Sequence, residues 1–216
     1  MRTSVRGGRA GLAAGRAGLA AGRAGLAAVA MALALAMSAC TPDPNSVAGQ
    51  AASGDRKGYI SGDGTVSQIE PSRRGEPITL TGTLLDGTPW SLDQARGKVV
   101  VLNVWGQWCP PCVAEMPILQ KSWASLSAAG KPVIFVGLDV RDSPETAASF
   151  LAKTRVTFPS LRYDGGVPLL ALKGKAPTIP ATVVLDGQGR IAARILGPVT
   201  EATLGGVVDD ALKELP

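Results

Sequence analysis

The 216-residue chain has no histidine and only three cysteines, Cys40, Cys109 and Cys112. Without histidine, and with no second cysteine pair, it cannot assemble the four Cys or His ligands that zinc normally takes. It also cannot carry a Cys-x-x-Cys-His haem-attachment site of its own. Each cysteine has a candidate role, so none is left over as a structural staple. The segment before Cys40 has no acid but five arginines, Arg2, Arg6, Arg9, Arg16 and Arg23. These account for the whole net charge of +5, because the other 17 basic residues balance 17 acidic ones. A nucleic-acid role therefore lacks the basic footprint with which such binding begins.

The N-terminus repeats every seven residues from Arg9, Arg16 and Arg23. Two glycines per repeat, at roughly 1 kcal/mol each relative to alanine, argue against a coiled coil. A basic region followed by the apolar stretch 24–39 is the pattern of a secretory signal, expected over residues 1–39. That stretch falls short of the ~20 residues that cross a bilayer, with an uncleaved membrane anchor as the alternative. No Arg-Arg pair is present, which argues against a twin-arginine route. Ser38-Ala39-Cys40 resembles the lipobox of bacterial lipoproteins, with Met37 where leucine is more usual. The resemblance implies lipidation at Cys40 and a membrane-anchored protein on the extracytoplasmic face. The alternative is a stray cysteine beside an ordinary cleavage site.

Residues 40–75 are rich in Pro, Gly, Ser, Asp and Gln and bury too little apolar surface to fold alone. As a tether of ~35 residues they would reach about 30 to 35 Å. Tyr59, Ile60 and Val66 are candidates to dock on the domain.

Residues 76–216 alternate β and α patterns, which predicts one α/β domain with helices packed on a central sheet. Strands at 78–85 and 90–92 flank the turn signal Asp86-Gly87. The β-branched run 98–104 predicts a strand covered on both faces. A helix follows over 109–128, stopped by Gly130-Lys131-Pro132. A second strand is expected at 133–140 and a helix to about Lys153, opened by Ser143-Pro144-Glu145. A hairpin at 182–196 turns on Asp186-Gly187-Gln188-Gly189, and 200–212 forms the last helix.

Trp108-Cys109-Pro110-Pro111-Cys112 falls between the first buried strand and its helix. A thiol at a helix N-terminus meets unpaired N–H groups and the positive end of the macrodipole, which favour the thiolate. Three residues later Cys112 returns to the same face, near enough to pair. The chemistry expected is thiol–disulfide exchange, with Cys109 attacking and Cys112 resolving the mixed disulfide. Exported domains also use structural disulfides, but so short a loop closes little chain entropy.

Residues 100–117, VVLNVWGQWCPPCVAEMP from Val100, resemble the active-site block of the TlpA/ResA-type (CcmG/DsbE-like) thioredoxin-like thiol–disulfide oxidoreductases. The resemblance runs from about Glu76 to the C-terminus. It implies a thioredoxin fold with an N-terminal β-hairpin and an extra helical segment between Val140 and Phe158. It further implies an exposed nucleophile at Cys109 and a buried partner at Cys112. Asn103 stands where cytoplasmic thioredoxins have a buried aspartate, and Glu115 matches the glutamate of this group. Spacing places Glu115 over the Cys112 face of the helix, to tune the thiols and shuttle a proton; an ordinary solvated carboxylate is the alternative. Thr178-Ile179-Pro180-Ala181-Thr182 matches the cis-proline loop, so Trp108, Ile179 and Pro180 are expected to form a substrate groove. Trp105 is expected in the core, and Pro117 to kink the helix.

By the same resemblance, the expected substrate is the haem-attachment cysteine pair of apocytochrome c, with electrons from a membrane thiol transporter of the CcdA/DsbD kind. No metal or other cofactor is expected, and the missing histidine excludes a Sco-like copper carrier. A DsbE-like oxidant and a non-enzymatic lipoprotein binding module are the alternatives.

Overall fold

A computed structural model describes residues 61, 62 and 64–216 of the protein. The signal, Cys40, Tyr59 and Ile60 lie outside the described residues. Among those described, no helix is long and apolar enough to cross a membrane.

The β-branched run forms β5 (Val99–Trp105), with all seven residues buried. Its side chains alternate between two cores. Val99, Val101 and Trp105 enter one, and Val100, Leu102 and Val104 the other. Around it stands a seven-stranded sheet built with β1 (Ser61–Gly62), β2 (Gly64–Gln68), β6 (Val133–Asp139), β7 (Ser160–Leu161), β8 (Ala181–Leu185) and β9 (Ile191–Leu196). The strand order is β1-β2-β9-β8-β5-β6-β7. Strand β5 runs parallel to β6 and antiparallel to β8.

Helices α1 (Pro110–Ala128), α2 (Pro144–Thr154) and α4 (Glu201–Lys213) supply Met116, Leu119, Ala147, Leu151, Leu204 and Val207 to the first core. The second core is closed by Ile78, Leu80, Trp90 and Leu92, in and around a separate hairpin of β3 (Thr81–Thr83) and β4 (Pro89–Ser91). Its turn follows the Asp-Gly signal: Gly87 has φ +89° and Asp86 Oδ1 accepts the Thr88 N–H at 2.9 Å. The extra helical segment is α2, capped by the Ser143 side chain accepting from Thr146 N–H. A short α3 (Val167–Leu170), for which the sequence gives no periodic signal, precedes β8. Helix α1 continues through Pro117 without ending there.

The folded part starts earlier than Glu76. Strand β2 pairs antiparallel with β9 from Thr65 to Gln68, and Val66 is fully buried. Arg74 is locked in place by Asp186 at 3.0 Å and by both oxygens of Glu214. Residues 64–74 are thus part of the domain rather than of a tether. Composition hides this because backbone pairing with an edge strand and a fork-shaped ion pair need few apolar residues.

Candidate active site

Strand β5 delivers the chain to a tight turn, Gly106-Gln107-Trp108, and Cys109 then caps α1. Proline suits the first helical turn, where its missing N–H costs no helical bond. Cys109 and Cys112 are joined in a disulfide, with Cα atoms 5.2 Å apart. The Cys112 N–H points to Cys109 Sγ at 3.3 Å, which puts a helix-terminal donor on the sulfur expected to become a thiolate. Cys109 is 4% exposed and Cys112 0%. Both sulfurs are buried in the disulfide form, so the exposed nucleophile expected at Cys109 is not exposed in this state.

Trp108 and Trp105 divide as expected. Trp105 is wholly buried, stacks on Phe150 at 5.4 Å and donates to Ser160 Oγ at 3.1 Å. Trp108 is 48% exposed, and its indole N–H donates to the Val140 carbonyl at 2.9 Å. An exposed ring held by its nitrogen next to a reactive sulfur can present an apolar face without being free to swing. The Ile179–Pro180 bond is cis, Pro180 is buried and Ile179 half-buried.

Glu115 is not a solvated helix carboxylate. It is 1% exposed, one helical turn beyond Cys112. Its Oε2 accepts the Val199 N–H at 2.8 Å and its Oε1 the Asn103 amide at 2.7 Å. Burial outweighs these two hydrogen bonds and pushes the carboxyl up to about 7. Such a group can hold or release a proton near neutral pH. Asn103 is itself buried and also donates to Thr182 Oγ1 at 3.3 Å, while among the described residues its Oδ1 has no hydrogen-bond partner.

Sequence reasoning missed the Val199 N–H and Thr182, which come from a loop and a strand about 80 residues from Glu115 and Asn103 in the chain. No local pattern marks them. It also missed Asp142, whose Oδ2 accepts the Gln107 N–H at 2.8 Å in the redox turn. Among the described residues, no three His, Cys, Asp or Glu side chains converge as a metal site requires.

The Redoxin family model matches residues 70–210, which include the disulfide, Glu115 and the cis-proline loop. The chain belongs to the Redoxin family. This redoxin is 32% identical over 142 residues to the thiol:disulfide interchange protein HelX of Rhodobacter capsulatus, covering 66% of this chain and 74% of that one. It is 30% identical over 124 residues to the thiol–disulfide oxidoreductase ResA of Bacillus anthracis, covering 57% and 69%. Among solved structures, it is similar to a secreted thiol-disulfide isomerase from Corynebacterium glutamicum. There the TM-score is 0.61 with 32% identity, covering 73% of this chain and 98% of that one. The fold is the thioredoxin fold, and this redoxin, with its Cys-x-x-Cys pair at a helix N-terminus, is a thiol–disulfide oxidoreductase.

Proposed function

We propose that this redoxin works on the extracytoplasmic side of the bacterial membrane as a disulfide reductase. Its substrate would be the haem-attachment cysteine pair of apocytochrome c. The observation that carries the reading is the Cys109–Cys112 disulfide at the start of α1, backed by a buried carboxyl one turn further on. The similarity to ResA and HelX, the arginine-rich apolar N-terminus and the lipobox-like Ser38-Ala39-Cys40 support the location and the substrate class. In this reading residues 1–39 are a signal and Cys40 bears lipid. The segment from Cys40 to the first strand is the tether, and a CcdA/DsbD-type membrane transporter supplies electrons.

In the reduced protein the Cys109 thiolate attacks one sulfur of the substrate disulfide. The other substrate sulfur leaves as a thiolate and takes up a proton. Cys112 then loses its proton to Glu115 and attacks Cys109 Sγ, expelling the second substrate thiolate, which takes that proton. Two electrons pass from the protein to the substrate, with one proton from Cys112 and one from solvent, and the Cys109–Cys112 disulfide forms. Trp108, Ile179 and Pro180 line the approach of the substrate chain.

The test is the reduction potential of the Cys109–Cys112 pair, measured beside its redox state in intact cells. A low potential with the pair held reduced supports the reductase. A potential near the oxidising end of the thioredoxin-fold range, about −120 mV, with the pair held oxidised replaces it with the DsbE-like oxidant. Reduction of insulin by the purified protein only when both cysteines are present discards the non-enzymatic binding module.

A further inference from the structure

Strand β6 ends beside the redox turn with a second buried acid that the exchange chemistry does not use. Asp139 is the cross-strand partner of Trp105 and is 2% exposed. Among the described residues, neither of its carboxyl oxygens accepts a hydrogen bond of good geometry. An unpartnered buried anion is costly, so a group in this position is retained only with a proton or a compensating neighbour.

The neighbour is Asp142. Arg141, in the left-handed region at φ +67°, turns the chain between the two acids. The loop it shapes grips the redox turn at three points. The Val140 N–H donates to the Trp105 carbonyl at 2.8 Å, the Val140 carbonyl accepts the Trp108 indole N–H at 2.9 Å, and Asp142 Oδ2 accepts the Gln107 N–H at 2.8 Å. Space there is tight: a Cβ on Gly106 would lie 2.8 Å from Trp108 Nε1 and 3.1 Å from the Val140 carbonyl oxygen.

Burial first, and the Asp142 carboxyl second, push Asp139 up to about 8. The backbone N–H groups of Asp142 and Val140 favour the anion only slightly. From β5 and the turn, Trp105 stands cross-strand to Asp139 and Gln107 donates to Asp142, and neither is titratable. Arg141 on their own loop is exposed, and among the described residues neither acid forms an ion pair with lysine or arginine. Burial and the like charge of Asp142 both disfavour the Asp139 anion, so Asp139 keeps its proton at neutral pH.

We propose that Asp139 and Asp142 are positioning residues for thiol exchange: they share one proton, which Asp139 donates to the Asp142 carboxylate, and that carboxylate holds the Gln107 N–H and with it the turn carrying Trp108 and Cys109. The proton stays within the pair at neutral pH and is lost to solvent when Asp139 ionises. The two anions then repel, Asp142 moves off Gln107, and the turn loosens. The positioning role rests on the reading of Cys109 as the attacking sulfur; the shared proton does not.

The proton is read first in the oxidised full-length protein, with no substrate, by following the aspartate carboxyl carbons by NMR across pH 3 to 10. One of the pair should titrate far above the ordinary carboxylate range; both titrating within it would overturn the proposal. The second measurement is exchange of the reduced protein with oxidised glutathione, for wild type and D139N, from pH 6 to pH 9. The asparagine amide can still donate to Asp142 but cannot ionise. The ratio of D139N to wild-type rate should therefore rise about tenfold, as for loss of a hydrogen bond to a charged acceptor. D142A, which removes the acceptor of the Gln107 N–H, should be slow throughout that range and should exchange its Gln107 amide hydrogen faster. A ratio that stays constant with pH would overturn the positioning role even with the shared proton in place. No glutathione exchange by the wild type at any pH would remove the proposed function and the positioning role together, leaving the carboxyl titration as it is.

Discussion

The Asn103 amide donates to the Glu115 carboxylate at 2.7 Å, joining the central strand to the helix that carries both active-site cysteines. The donor and the acceptor are both buried, and the other face of the carboxylate is met by the Val199 N–H. Glu115→Gln keeps the size of the side chain and removes the ionisation. Reduction of insulin should slow by about a hundredfold, the lower end of what a positioned acid–base group contributes. Unchanged kinetics across pH 5 to 9 would remove the proton-shuttle role.

The same carboxyl sets a stability slope. Its value is raised in the folded protein from 4.5 to about 7. The folded state therefore binds the proton more tightly than the unfolded one. The stabilisation is complete below about pH 4.5 and is lost as pH rises through about 7, amounting to roughly 3 kcal/mol. Asp139, raised to about 8, adds a slope of the same sign that extends to higher pH. Denaturant unfolding of oxidised Glu115→Gln should be flatter than wild type between pH 5 and 7. Parallel curves would show that Glu115 does not titrate there.

Arg74 bridges Asp186 and Glu214, and its side chain is 4% exposed. Arg74→Ala leaves Asp186 with the Arg190 side chain and the Gln188 and Arg190 N–H groups, and should cost about 2 kcal/mol, as for loss of hydrogen bonds to a charged group. Arg74→Lys should recover little, because an ammonium cannot reproduce the two-pronged contact with Glu214. The check is urea unfolding of the three proteins, and equal midpoints would mean the clamp contributes nothing.

Gly106→Ala should lower exchange activity more than it lowers stability. The added methyl would press on the Trp108 indole nitrogen and the Val140 carbonyl, which hold Trp108 in place. Overpacking of this kind costs about 1–3 kcal/mol and displaces its neighbours. The insulin-reduction rate, measured at a temperature where the variant remains folded, separates the two effects. Full activity would mean the setting of Trp108 does not matter to the reaction.

Much of this protein is legible in its sequence, because the strongest signals are local. The run 98–104 reads as a strand covered on both faces, Asp86-Gly87 as a turn, and Ser143-Pro144-Glu145 as a helix start, and the structure has each of them, the strand at Val99–Trp105. The spacing of Cys109 and Cys112 brings the two thiols together on one face at the start of a helix whatever surrounds them. The absence of histidine closed off zinc and haem attachment by elimination.

Only the tertiary structure decided what surrounds those thiols. Whether Glu115 is solvated or buried depends on Val199 and Asn103, brought in from other parts of the chain. The inclusion of residues 64–74 depends on an edge strand needing a partner and on Arg74 finding two acids more than 100 residues away. Asp139 reads only as the end of a strand and Asp142 as a loop acid until the fold sets both beside the redox turn. The sequence determines periodicity, turns and cysteine spacing, since these are fixed by neighbours along the backbone. Burial, and with it the protonation of a carboxyl, is set by groups distant in sequence and is determined only once the chain has packed.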